Sequence, residues 1–497
     1  MIFYNAKVMF LFYLLSSRKD ACVLSQRKIV TDLTEGPVAS TLIAFAIPFM
    51  FANLFQTLYS LVDMIIVGQY VGSVGLSAVS VGGEVTQFFM FLSMGIAGAG
   101  QVIISQYIGR KDYENLNSFI GTLFTFLIAV AVLMTIIGLC LCDVILNLLN
   151  TPAEARDQAF DYALVCFFGM VFIYGYNLIS AILRGMGDSR HPLLFVAIAA
   201  VTNLILDLLF VAVLDLGAKG AALATVIGQA LSFICSVIFL ARNKDAFHFD
   251  FKLKSFLPSA AHIGSILRLA IPMSLQGCAI TLSSLFVASF INSYGVIVTA
   301  VNGIGSKLSS MVYIVVDALN SAGSSSIGQC FGAGKKKRIS RTVWIMSGIC
   351  CAFGLILSVI FWFFPEECFS LFNKDADVIA MAGTYRPIMI LNLMGGSLRV
   401  PYLALINGIG HANLNLIVGI LDGVVARIGL SILLGRVLGM GIMGFWLGNA
   451  LAGYMWNVIG IPYFLSGRWK NRRPAFSTSG VDLQPTEESE SFYQKET

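Results

Sequence analysis

Asp63 and Asp207 are carboxylates embedded in apolar sequence, and each has polar company at helical spacing. Gln56, Tyr59 and Asp63 follow i, i+3, i+7, and Asn203 and Asp207 follow i, i+4. Asn177, Ser180 and Arg184 repeat the i, i+3, i+7 pattern. Residues so spaced share one helix face. Two carboxylates sharing a buried site cannot both stay ionised cheaply, so such a pair can take up and release a proton. The same oxygens could hold Na⁺, and the sequence does not choose between the ions. The plain structural alternative is that Asp63 or Asp207 caps a helix break or pairs with Arg184.

The second half of the chain has its own ionisable residues in apolar runs. Asp317, Ser321 and Ser324 form an i, i+4, i+7 stripe, and Arg399, Asp422 and Arg427 follow. Asp422 and Arg427 are five apart, about 140° around an α-helix, so they are not expected to pair. A salt bridge between Asp422 and Arg399 and a contact to cargo are equal alternatives. Gln56, Tyr59, Arg184, Asp317 and Asp422 are thus candidates for lining a substrate cavity.

The elements that hold these residues are membrane helices. The 497 residues are 57% hydrophobic and 12% charged, with a net charge of +5 and mean hydropathy +0.82. Soluble chains run at roughly 45–50% apolar and about 25% charged. Such a composition excludes a soluble enzyme, a disordered scaffold and a nucleic-acid binder. A bilayer core of about 30 Å needs roughly 20 apolar residues as helix. Runs of that kind fall near 40–66, 77–105, 117–141, 158–182, 192–214 and 220–241. Six more lie near 263–291, 299–327, 340–364, 378–405, 414–434 and 441–466. The strict alternation of a β-barrel is missing. The fold class is therefore all-α and polytopic, with twelve transmembrane helices. Of the 32 Lys and Arg, 24 fall on one side of these spans and six on the other, which places both termini in the cytoplasm.

The halves match when the sequence is slid by about 223 residues. Ile47-Pro48 meets Ile271-Pro272, and Gln106…Gly109 meets Gln329…Gly332. Arg184-Gly185-Met186-Gly187 meets Asn407-Gly408-Ile409-Gly410, and Leu216-Gly217 meets Leu438-Gly439. The shift covers six helices, so two six-helix lobes are related by a parallel pseudo-two-fold repeat, an architecture suited to alternating access. Residues 1–36 read as a cytoplasmic or interfacial lead segment, 37–241 as the first lobe and 242–262 as a cytoplasmic linker. Residues 263–466 read as the second lobe and 467–497 as a cytoplasmic, disordered tail. The repeat also supplies a control. Asp63 maps onto Val287 and Asp207 onto Leu430, so the fold does not require those carboxylates, and their task is confined to the first half.

Other chemistry has little support. The ten Cys form no C-x-x-C pair, and the four His stand in or beside loops, so neither a metal site nor a cysteine enzyme is expected. The chain has no phosphate-binding G-x-x-x-x-G-K-[ST] loop, which leaves an ion gradient as its energy source. The run Gly332-Ala-Gly-Lys-Lys-Lys-Arg338 reads as a topology anchor that touches anionic lipid.

Several segments together resemble the multidrug and toxin extrusion (MATE) family. They are Ile47-Pro48 leading to Gln56-Thr-Leu-Tyr-Ser-Leu-Val-Asp63, Gln106-Tyr-Ile-Gly109, Leu183-Arg-Gly-Met-Gly-Asp188, Asn203-Leu-Ile-Leu-Asp207 and Gly220-Ala-Ala-Leu-Ala-Thr225. The pattern is most similar to the bacterial branch related to DNA-damage-inducible protein F. That resemblance implies an ion site using Asp63, Asn177, Ser180, Asn203 and Asp207, although relatives carry Asn where this chain has Ser180. It further implies a non-enzymatic H⁺- or Na⁺-coupled antiporter that exports amphipathic, often cationic, drugs and dyes. The expected protein is a plasma-membrane monomer needing no cofactor beyond the coupling ion, and no nucleotide or nucleic-acid partner. The competing expectation is a flippase for lipid or lipid-linked oligosaccharide, from a wider superfamily resembling this one. A flippase would line its cavity with several Arg or Lys, whereas the first-half polar residues are Asp, Asn and Tyr, which favour cationic or neutral cargo.

Overall fold

The computed structural model describes residues 30–149 and 151–476. Twelve helical spans follow one another in the expected order. They are α1 (Val38–Tyr70), α2 (Gly72–Arg110), α3 (Tyr113–Leu148), α4 (Ala153–Gly185), α5 (Arg190–Val213) and α6 (Gly217–Arg242). The second set is α7 (Ala260–Asn292), α8 (Val296–Gly332), α9 (Lys336–Phe363), α10 (Ala376–Gly408) and α11 (Ala412–Val437), with α12 split into Gly441–Ala452 and Met455–Leu465. No strand occurs among the described residues.

Ten of these helices are long and apolar enough to cross a membrane by themselves; α8 and α12 are not among them. The exceptions have physical reasons. Helix α8 carries Lys307, Asp317, Asn320 and a run of serines because it lines an internal cavity, where polar side chains are spared contact with lipid. Helix α12 is interrupted at Gly453-Tyr454, so neither piece has the length.

The lobes interlock. The start of α1, with Val38, Leu42, Phe45 and Ala46, packs into the second lobe's core beside Val316, Leu319, Val343 and Val400. Its later residues Ala52, Ile66 and Val67 return to the first lobe's core. Helix α7 mirrors this: Ile266, Leu269 and Ala270 pack in the first lobe, Val287 and Ile291 in the second. Each helix changes partner around an internal proline, Pro48 or Pro272, where the lost backbone hydrogen bond lets a helix redirect. The division at 242–262 is therefore one of sequence and not of packing.

Both flanking segments are docked. Leu33 is buried in the second lobe's core, and Arg338 donates to the carbonyls of Leu33, Glu35 and Gly36. The expected disordered tail is corrected for its first ten residues. Trp469 is buried with Nε1 donating to the Phe464 carbonyl, and Phe476 stacks on Tyr107 at 4.6 Å. The Ser/Glu content from 477 onward says nothing about Trp469, Ala475 and Phe476, whose apolar surface finds a partner only in the folded protein. The rest of that tail and the lead segment before Val30 lie outside the described residues. The linker is also fixed: Asp250 and Ser255 bond to Asn117 on α3, and Thr125 donates to the Phe256 carbonyl. Gly121 allows this approach, since a Cβ there would collide with the Ser255 carbonyl.

Candidate functional site

The first-lobe carboxylates meet inside their lobe. Asp63 on α1 and Asp207 on α5 are each other's immediate electrostatic neighbours, 7% and 0% exposed. Asp207 ends the α-helical part of α5, and Leu208–Val213 continues as π-helix. Such widened turns commonly accompany functional positions. The other end of α5 is set by Asp188, whose carboxylate accepts from the backbone N–H of Arg190 and His191 and pairs with the His191 ring. Asn203, one turn before Asp207, donates to Thr225 on α6 at 3.2 Å. Gly228 makes that approach possible, because a Cβ there would stand 2.9 Å from the Ala199 carbonyl. Both oxygens of Asp207, Oδ1 of Asp63 and Oε1 of Gln229 are buried without a hydrogen-bond partner. Tyr59 stands between Gln56, Gln229 and Asp63, and Tyr162 and Cys166 close the site from α4.

A separate cavity of about 740 Å³ lies between the lobes. Of the candidates, Gln56, Arg184 and Asp317 line it, together with Asn53, Ser60, Met94, Gln101, Lys307, Asn320, Ser324 and Asn407. Two candidates do not. Tyr59 is absent from the cavity lining and, like Asp63, stands against residues of its own lobe, Gln229 beside Tyr59 and Asp207 beside Asp63. Asp422 is 0% exposed and bonds to Arg427 at 2.9 Å, while Arg427 donates to Asn449 on α12 at 2.7 Å. The expectation that Asp422 and Arg427 could not pair is corrected by the local backbone. Leu421–Ile428 is π-helix, in which residues five apart lie one turn above each other. Arg399 instead lies 5.1 Å from the Tyr313 ring centroid.

Asn177 and Ser180 are not hydrogen-bonded to either carboxylate. Ser180 is buried near Tyr176 and Arg184, and its hydroxyl is unpartnered. Thr225 and Gln229 were not singled out in the sequence, yet they are an i, i+4 polar pair on the helix that faces Asn203 and Asp207. That spacing was the available signal. No group of three His, Cys, Asp or Glu side chains gathers among the described residues.

The cavity is shut at the end where the basic loops lie. Gln106 Nε2 donates to the Gly408 carbonyl at 2.9 Å, and Gln329 Nε2 to the Gly185 carbonyl at 3.2 Å. Gln106 also accepts from the N–H of Ala475, and Gln329 from that of Leu33. Above them Gln101 Nε2 donates to Ser321 Oγ and Ser325 Oγ at 3.0 and 2.9 Å.

The profile of the MatE family matches residues 48–209 and again residues 272–433. The chain belongs to the MATE family. The two matched segments are offset by 224 residues, in line with the internal repeat. The chain is 29% identical over 354 residues to the probable multidrug resistance protein YpnP of Bacillus subtilis, covering 71% of this chain and 79% of that protein. It is 24% identical over 461 residues to the probable multidrug resistance protein NorM of Thermotoga maritima, covering 88% and 94%. A crystal structure of a MATE protein in the bent conformation superposes with a TM-score of 0.82 at 23% identity, covering 92% of this chain and 100% of that one. The VcmN MATE transporter of Vibrio cholerae superposes at 0.80 and 20% identity, covering 87% and 98%. This MATE protein is a multi-pass membrane protein and a multidrug efflux transporter acting on small molecules. Its twelve helices form the two-lobed fold of that family.

Proposed function

We propose that the transporter is an antiporter, in which H⁺ or Na⁺ entering at Asp63 and Asp207 drives export of amphipathic, often cationic, organic compounds from the cavity. The observation that carries this is the buried carboxylate pair with unpartnered oxygens in one lobe only. Asp63 shares α1 with Gln56 in the cavity wall, so a change of charge at the pair acts on a helix that the cargo touches. Loss of a buried charge also removes its desolvation penalty, which biases the packing of α1. Alternating access between the lobes follows if the glutamine contacts at the basic end open while the opposite end closes. For Na⁺, the free oxygens of Asp63, Asp207 and Gln229 would supply hard ligands. The 24-to-6 bias of basic residues supports cytoplasmic placement of both termini, in a transporter that we place in the plasma membrane as a monomer. Export of lipid or lipid-linked oligosaccharide is the second reading, favoured by the placement of Arg184 and Lys307 on the cavity wall.

The test is efflux of a fluorescent cation in energised inside-out vesicles. Asp63→Asn and Asp207→Asn should each abolish gradient-driven transport while the protein still inserts and folds. Full efflux by Asp63→Asn would sink the coupling role. Repeating the wild-type assay with a protonophore, or without Na⁺, identifies the ion.

A further inference from the structure

The floor of the cavity is uneven in charge. The repeat relates Arg184 to Asn407 and Gln101 to Ser324, and all four line the cavity. Both lobes thus build the same corner, but only the first puts a cation in it. The neutral amide of Asn407 fills the equivalent position, so the architecture by itself does not require the guanidinium.

Arg184 is held in place without being neutralised. Its Nε donates to Gln101 Oε1 at 3.1 Å, and its Cζ lies 4.9 Å from the Phe49 ring centroid. The Gln101 amide is fixed by its own donations to Ser321 and Ser325 across the lobe interface. These contacts occupy one N–H and one face of the guanidinium, and among the described residues neither Nη group has a protein acceptor. Among the described residues, no carboxylate stands within ion-pairing distance of Arg184. Lys307 adds a second cation to the wall, and among the described residues Asp317 is its only carboxylate. Asp63 and Asp207 face into their lobe. A guanidinium is charged at any physiological pH and presents a planar fork that matches a carboxylate.

The geometry points to Arg184 as an oxyanion-binding subsite of the cargo cavity, so that the exported molecules include amphipathic zwitterions and anions bearing a carboxylate. The carboxylate sits on the floor against the Nη groups. The apolar body rests on Phe49, Met94 and Met273, whose flexible thioethers suit varied shapes. A cationic end, where present, reaches Asp317, about 6 Å up α8 from Ser321. This inference rests on the reading of the cavity as the cargo site, but not on the coupling ion.

The test is equilibrium binding, by fluorescence anisotropy, to the purified full-length transporter in lipid nanodiscs without any ion gradient. The probes are rhodamine B, which carries a free carboxylate, and its ethyl ester, which has the same cationic ring system without that charge. The quantity read is the affinity for the acid relative to the ester. Arg184→Gln should lower that ratio about tenfold, as expected for loss of a charge-assisted hydrogen bond, whereas Arg184→Lys should keep most of it. If Arg184→Gln does not fold, Asn407→Asp, which sets a carboxylate on the same floor, should lower the ratio several-fold. An unchanged ratio in the folded variants overturns the subsite alone. Failure of the wild type to bind either dye overturns the subsite and the cargo-cavity reading together.

Discussion

Gln106 and Gln329 are equivalent positions of the two repeats, and each holds the carbonyl of a glycine in the opposite lobe. Those glycines, Gly408 and Gly185, are themselves equivalent. The arrangement is a two-fold latch across the basic end of the cavity, and each terminal segment adds one backbone N–H to it. Gly109 and Gly332 allow the latch to form, since a Cβ on either would collide with the carbonyl of Gln329 or Gln106.

The latch should govern closure at that end. A buried side-chain hydrogen bond lost without a replacement partner costs about 1–3 kcal/mol. Gln106→Ala combined with Gln329→Ala is therefore expected to raise opening at the basic end by tenfold or more. Hydrogen exchange of the last turns of α2 and α8 reads this directly. Gly332→Ala should act in the same direction, by holding the two backbones apart. Wild-type exchange rates in the double variant would show that the contacts do not set the closed state.

Asp422 and Arg427 make a different prediction. The pair is 0% and 12% exposed, and removing one partner of a buried ion pair leaves an uncompensated charge worth about 3–5 kcal/mol. Arg427→Ala should lower the thermal unfolding temperature in detergent strongly, while Asp422→Asn with Arg427→Gln should recover most of the loss. Equal damage from the single and double variants would argue that the π-helical segment, and not the charge pair, holds this region.

His411 predicts a pH dependence. It lies in the turn between α10 and α11, and its Nδ1 is 3.0 Å from the Tyr463 hydroxyl. Burial first, and the nearby Arg472 second, push its imidazole down to about 4. The unfolded chain, with an ordinary value near 6.5, then binds more protons between pH 4 and 6.5. Stability is thus fully present above pH 6.5 and declines as pH falls through that window. Allowing for the partial exposure of His411, the effect is on the order of 1 kcal/mol. Thermal unfolding at pH 7 and at pH 4.5 should differ less in His411→Gln than in the wild type. An identical difference in both would remove His411 as the cause.

Much of this protein was legible in its sequence, because the bilayer enforces simple rules. Apolar runs long enough to span it give twelve helices, and repeated motifs give two lobes. A carboxylate in such a run is too costly to be incidental, which marked Asp63 and Asp207. Helical spacing also placed Asn203 beside Asp207. Other features depended on local backbone geometry that spacing cannot convey. Reading α11 as a regular α-helix kept Asp422 and Arg427 apart, and its π-helical stretch brought them together.

The sequence by itself determined the spans, the repeat and the confinement of Asp63 and Asp207, without counterparts, to the first half, since those follow from hydropathy and from counting. Tertiary structure decided which polar residues face cargo. Around α1 a turn of about 60° separates Asp63, sealed within its lobe, from Ser60 in the cavity wall. Spacing fixes that angle but not how the helix is turned: which of the two residues meets the cavity is set by how α1 packs against neighbours from both lobes. The same packing left Arg184, and neither of the first-lobe aspartates, at the floor of the cavity.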